Sequence, residues 1–147
     1  MAQQGILTKD IALYYATTKP TTIGDVSLYT ELDYIRQVPA LGGTAEQVDV
    51  TCLRDEAFKR IKGLKDFGEL EFTLLYDNDD ANANFRILSG LEAAGTEVFW
   101  CVEFPDGATF AFSGECAVET SEAEPNNPIE FTLRVFLNSD MTITNPV

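Results

Sequence analysis

The chain has 147 residues, with 24 acidic against 10 basic side chains, a formal charge of −14 and no histidine. That length suits one domain able to bury roughly 70% of the surface its unfolded chain exposes. The charge argues against gripping nucleic acid, because such affinity rests on cations that neutralise phosphates; the missing histidine removes the commonest general base and the commonest metal ligand.

In chain order, Met1-Ala2-Gln3-Gln4 lacks a basic n-region followed by an apolar stretch, so no signal peptide is expected. No apolar run approaches the roughly 20 residues that span a bilayer, so no membrane partner is expected. Tyr29–Ile35 reads as a strand with Leu32 and Tyr34 inward. Val48, Val50 and Cys52 alternate with Gln47, Asp49 and Thr51 in a second strand, ordinary and half-buried. A short basic connector, Cys52–Phe67, leads to a strand in which Leu70, Phe72, Leu74 and Tyr76 alternate with Glu69, Glu71, Thr73 and Leu75.

One helix is expected from about Asp79 to Ala94. Asn78 or Asp79 would cap it, Phe85, Leu88 and Leu91 form its apolar stripe with Ile87 on the shoulder, and Gly95 stops it. Phe104-Pro105-Asp106-Gly107-Ala108 is a turn signature. Pairing Phe104 with Ala108 sets Val102 opposite Phe110 and Trp100 opposite Phe112 on one aromatic face of an antiparallel hairpin. Ser121–Pro128 is a loop by composition. Ile129, Phe131, Leu133, Val135 and Leu137 then alternate with Glu130, Thr132, Arg134 and Phe136. Phe136 breaks the polar face and reads as a local fit beneath a loop, with an intersubunit contact as the alternative. Several short strands and one helix predict a mainly β (α+β) fold, an antiparallel β-sandwich or barrel with one packed α-helix.

Catalytic signals are absent. No nucleophile elbow or P-loop appears, and a cysteine nucleophile would lack its imidazole partner. Asp77-Asn78-Asp79-Asp80 begins like a calcium loop, but Ala81, Asn82 and Leu88 fail its ligand and turn positions. Cys52, Cys101 and Cys116 are too few and too scattered for a disulfide framework or zinc site, and are expected as buried free thiols in a reducing cytoplasm. The chain is therefore read as non-enzymatic, with no catalytic, metal or cofactor site and no cofactor.

Arg54, Lys59, Arg60, Lys62 and Lys65, against Asp55 and Glu56, give the segment Arg54–Lys65 a net +3 and leave −17 on the rest. From Ala111 to Glu130 there are glutamates and no cation. The easiest partner for so asymmetric a chain is another copy, basic segment to acidic surface, and repeated head-to-tail contact makes rings or filaments. From charge alone, a solvated connector with incidental lysines remains open.

Between Val38 and Asp77 the segments P-A-L-G-G-T-A-E-Q-V-D-V-T and K-G-L-K-D-F-G-E-L-E-F-T-L-L-Y-D carry a family likeness. They resemble the major tail tube proteins of long, non-contractile phage tails, lambda-like in their N-terminal domain. That resemblance implies a structural virion protein whose copies form six-membered rings stacked around a tape measure protein, with sheets joined side by side around a DNA channel. It implies tail terminator and tail-tip proteins as further partners, an acidic lumen that DNA passes without specific binding, assembly in the host cytoplasm and residence in the virion tail. The connector matching Cys52–Phe67 would reach the neighbouring ring, which places the expected stacking interface on Arg54, Phe58, Lys59, Arg60, Lys62 and Lys65. A single tail tube domain over 1–147, without the immunoglobulin-like domain some relatives carry after it, is expected. Alternatives are a tail terminator, tube initiator or contractile-system tube protein of the same fold, or a soluble β-sandwich binding module.

Overall fold

The computed structural model describes residues 10–42, 44–54, 56–66, 69–122 and 124–145, so the readings made at Met1–Gln4, Phe67, Gly68 and Val147 lie outside the described residues. Its elements are β1 (Ala12–Ala16), β2 (Thr30–Leu32), β3 (Ile35–Gln37), β4 (Thr44–Asp49), β5 (Arg60–Asp66), β6 (Glu69–Leu75), α1 (Asn84–Ala94), β7 (Val98–Glu103), β8 (Thr109–Thr120), β9 (Glu130–Leu137) and β10 (Thr142–Thr144). Every pairing is antiparallel. One sheet runs β2-β1-β7-β8-β9-β6-β3, with β10 also on β8, while among the described residues β4 and β5 pair only with each other. The expected mainly β architecture with one packed helix is what forms.

The two ends of that sheet are consecutive in sequence. Only Asp33 and Tyr34 separate β2 from β3, so the Cα atoms of Leu32 and Ile35 are at most about 11 Å apart. The sheet must therefore curl until its edges nearly meet, as in a barrel, with one side of the seven strands on that path turned inward. Tyr34 makes the corner with a left-handed φ of 66° and points outward, 56% exposed. The expected single inward-facing strand over Tyr29–Ile35 is thus corrected to two short strands on opposite sheet edges. A non-glycine residue with this φ costs about 1–2 kcal/mol, offset by bonds at the corner. Leu75 N–H donates to Tyr34 O at 2.8 Å, and the buried Asn84 Nδ2 donates to both Asp33 O and Leu75 O at 3.0 Å.

The interior follows from strand alternation. Leu13, Leu32, Phe72, Leu74, Trp100, Val102, Phe131, Leu133 and Val135 are buried in one cluster. Each large side chain removed from water contributes about 1.5–3 kcal/mol. The β7–β8 hairpin has the register read from its turn, Trp100 against Phe112 and Val102 against Phe110, closed by Phe104 N–H to Ala108 O at 2.9 Å. Trp100 satisfies its indole N–H on Gly114 O at 3.2 Å. A Cβ on Gly114 would run into the backbone carbonyl of Phe136, so glycine is required where β8 and β9 approach.

The helix covers the inner side where β8 outruns β7. Leu88 is fully buried, Phe85 meets Phe131 edge-on at 5.3 Å, and Glu92 accepts the Val118 N–H at 3.3 Å. Gly95 ends the helix in the left-handed conformation, as expected. Its start is corrected from Asp79 to Asn84. Asp77 and Asp80 instead fold back on the amides of Asp79 and Asn82 as local turns, a competing use of short acidic side chains. Ile129 also differs from its expected inward position, because β9 begins one residue later and leaves it exposed.

Two substitutions test this account by chemical unfolding. Asn84→Ala strands two corner carbonyls and is expected to cost about 1–3 kcal/mol. Gly90→Ala, mid-helix with nothing near its added Cβ, is expected to gain about 0.5–1 kcal/mol.

Candidate functional site

The second half of the expected basic connector is strand. Residues Arg60–Asp66 turn back on β4, pairing Asp49 with Arg60, Val48 with Ile61 and Gln47 with Lys62. The pairing runs on past β4, with Val50 N–H donating to Lys59 O at 3.0 Å and Lys59 N–H to Thr51 Oγ1 at 2.8 Å. Asp49 accepts the Thr51 amide at 2.9 Å, and the side-chain hydrogen bond from Thr51 holds its carboxyl below the usual range. This two-stranded hairpin stands off the main sheet. The expectation that Thr44–Thr51 is ordinary half-buried strand is corrected, since Val48 and Val50 are exposed.

Alternation gives the hairpin two unlike faces. Val48, Val50 and Ile61 share one side with Lys59. Phe58, Arg60 and Lys62 share the other, the Arg60 guanidinium lying 5.8 Å from the Phe58 ring centroid. Arg54 stands at the tip beside Leu53, which is fully exposed, and Phe58 is 76% exposed. The backbone sets Lys65 opposite Ala45; its side chain lies outside what the structure describes. Of the six residues expected at an interface, Phe58, Arg60 and Lys62 are thus brought together, while Lys59 belongs to the opposite face. The apolar half of the surface, Val48 with Ile61, went unread because the lysines around Gly63 obscured the second strand.

An isolated two-stranded hairpin is marginally stable in water. One that also exposes five large apolar side chains of the twelve exposed among the described residues has the character of an unfilled interface.

The outer face of β6–β9–β8 is the second surface. Cross-strand register sets Glu69, Phe136 and Glu115 in one row and Glu71, Arg134 and Ala117 in the next. Arg134 Nε lies 3.0 Å from Glu69 and 3.1 Å from Glu71, and Nη1 lies 2.7 Å from Glu119. Its hydrogen bonds to Glu71 and then Glu119 raise its pKa above the ordinary value. All four groups are solvent-exposed, so the network orients carboxylates more than it holds the sheet together. With Glu115 and Glu130 added, five glutamates face outward around one cation. Phe136 sits 47% exposed among them, which corrects its reading as a fit beneath a loop.

The opposite outer face, on β7 and β8, is overlaid by the segment 17–29. Tyr29 donates its hydroxyl to Ile23 O at 2.9 Å, and burial beside Cys101 pushes its pKa up to about 12. A cleft of about 460 Å³ remains between this segment, β7 and the stretch before β10. Ile23, Tyr29, Phe99 and Ala111 line it with apolar surface; Glu97, Asp140 and Lys19 are its charged groups. Near it Ser113 bonds to Asn138 and Ser139, at 2.9 Å each, where β9 passes into β10.

A family model described as phage tail tube protein matches residues 1–146. Among solved structures the chain resembles one in the anti-feeding prophage baseplate, six-fold symmetrised, with TM-score 0.66 and 9% identity over 99% of this chain and 98% of that one. It resembles one in the sheath/tube terminator structure of an extracellular contractile injection system, with TM-score 0.64 and 8% identity over 98% and 99%. It also resembles one in the tail of an empty gene transfer agent particle, refined with helical and C6 symmetry, with TM-score 0.62 and 16% identity over 97% and 99%. At such identities the likeness is one of fold. No curated protein matches the chain.

The thiols divide by exposure, and here too an expectation is corrected: Cys101 and Cys116 are buried while Cys52 is exposed on the hairpin. Burial pushes both buried thiols up to about 11. A maleimide at neutral pH is expected to label one cysteine in the native monomer and three after denaturation. Raised native pKa values stabilise the fold below the unfolded thiol pKa near 9, and that contribution disappears between pH 9 and 11. The thermal midpoint is expected to fall by at least about 3 °C over this interval, and less steeply in Cys101→Ala/Cys116→Ala.

Proposed function

The chain belongs to the phage tail tube protein family, and from that premise we propose that it is the major tube subunit of a long, non-contractile tail. Copies close into six-membered rings, and the rings stack around a tape measure protein. The finished tube meets a terminator at one end and tail-tip proteins at the other. DNA later passes through it without specific binding. Assembly takes place in the host cytoplasm and the product is the virion tail. The protein acts by assembly and passive conduction, with no catalysis.

The observation that carries this reading is the β4–β5 hairpin, held away from the sheet with one apolar and one cationic face. Such a surface is costly for a monomer and useful for a polymer. The ring size is supported by the six-fold symmetry of the baseplate and tail assemblies that contain chains of this fold. The outer face of β6–β9–β8 suits the channel wall. It is an exposed sheet surface, and its five glutamates around Arg134 repel a passing polyanion. A second reading, a tube or terminator protein of a contractile system, is favoured by the fold matches to the baseplate and sheath/tube terminator. In that case the purified protein would form single rings or short stacks.

Electron microscopy of the purified protein tests the proposal. Uniform hollow tubes are expected from the wild type. Arg60→Glu/Lys62→Glu is expected to abolish them while leaving the monomer's thermal midpoint within about 2 °C, since exposed charges contribute little to folding. Persistent wild-type monomers, with or without tail-tip components, would point to a soluble binding module.

A further inference from the structure

We infer that the cleft between segment 17–29 and the start of β10 is the receptor for the hairpin of a second copy, with Phe58 as the inserted anchor. The inference rests on the assembly reading above and names the surface that reading lacks. Three observations carry it.

The first is that Phe58 has no seat in its own chain. It is 76% exposed, with Arg60 lying over its ring. An aromatic ring held out on a hairpin, already flanked by a guanidinium, has the composition of a contact hot spot. The second is the cleft itself. Its 460 Å³ lies within the range of about 300–1,000 Å³ typical of preformed binding sites, and its walls are aromatic and aliphatic. The third is charge. Phe58, Arg60 and Lys62 share one face of the hairpin with Asp49, the cross-strand partner of Arg60, so a seated ring brings two cations and one carboxylate with it. Glu97 and Asp140, both exposed, supply two carboxylates against the single Lys19. The acidic face of β6–β9–β8 is the rival receptor, but its exposed aromatic, Phe136, lies within a sheet surface where Arg134 already engages three of the five glutamates.

Insertion is heterologous, because the hairpin and the cleft are different surfaces of the same chain. Each copy can then give and receive once, and the contact propagates until a ring or stack closes.

The test is a charge exchange read as the critical concentration for tube formation. Glu97→Lys/Asp140→Lys is expected to raise it at least about tenfold, equivalent to about 1.4 kcal/mol. Adding Arg60→Glu/Lys62→Glu to the same chain is expected to return it most of the way. Normal assembly by Glu97→Lys/Asp140→Lys, or no recovery on charge exchange, overturns the inference. A second measurement uses two Cys52→Ser chains, one carrying Ala57→Cys beside the anchor and the other Thr142→Cys, mixed and treated with a short bis-maleimide. A cross-linked heterodimer in the assembled fraction supports the inference. Wild-type tubes with neither cross-link nor charge dependence overturn it and leave the tube assignment standing, whereas wild-type chains that never assemble remove both.

Discussion

Two residues set the architecture. Asp33 and Tyr34 join strands at opposite ends of a seven-strand order, and so short a link forces the whole sheet to bend round. Tyr34 is held in an unfavourable backbone conformation, and Asn84, from the first turn of the helix, bonds both to the corner at Asp33 and to the end of β6 at Leu75. Closure, corner and helix placement are therefore one coupled constraint. Trp100, Phe72 and Phe131 are buried because the sheet closes over them, and the sheet closes because the chain between β2 and β3 allows nothing else.

Closure also decides what remains for function. With the inner side of the curled sheet consumed by the core, only outer surfaces can meet partners, and these differ sharply in chemistry. One carries glutamates gathered round Arg134. Another is overlaid by segment 17–29, leaving an apolar cleft with carboxylates. The hairpin belongs to neither, since among the described residues it pairs only with itself and exposes Val48, Ile61 and Phe58. A fold that spends its hydrophobic interior on itself, yet extends an apolar arm into water, offers the kind of surface that the proposed assembly would bury.

Much of this was legible from residue order. Alternation placed Phe131, Leu133 and Val135 inward, and a Pro-Asp-Gly turn fixed the register of Trp100 against Phe112. The stop at Gly95 followed from backbone freedom. The failures share a cause, which is that tertiary or very local interactions override pattern. Nothing in the composition of Tyr34 marks a left-handed corner, because the bonds that stabilise it come from residues far along the chain. The acidic run before the helix satisfied neighbouring amides instead of extending the helix. Arg60–Asp66 resembled a solvated connector because lysines and a glycine interrupt its apolar alternation, and an exposed hairpin has no core to impose that alternation. The cleft was invisible, since its walls come from four separated stretches. The family likeness pointed to this segment, and only the fold divides it into an apolar and a cationic face.

The most direct test is a density map of the assembled particle at side-chain resolution. The account predicts that the β4–β5 hairpin lies against a neighbouring copy, while Glu71, Glu119 and Arg134 stand on the wall of the channel. A hairpin left in solvent, with the glutamate-bearing face buried between subunits, would contradict it.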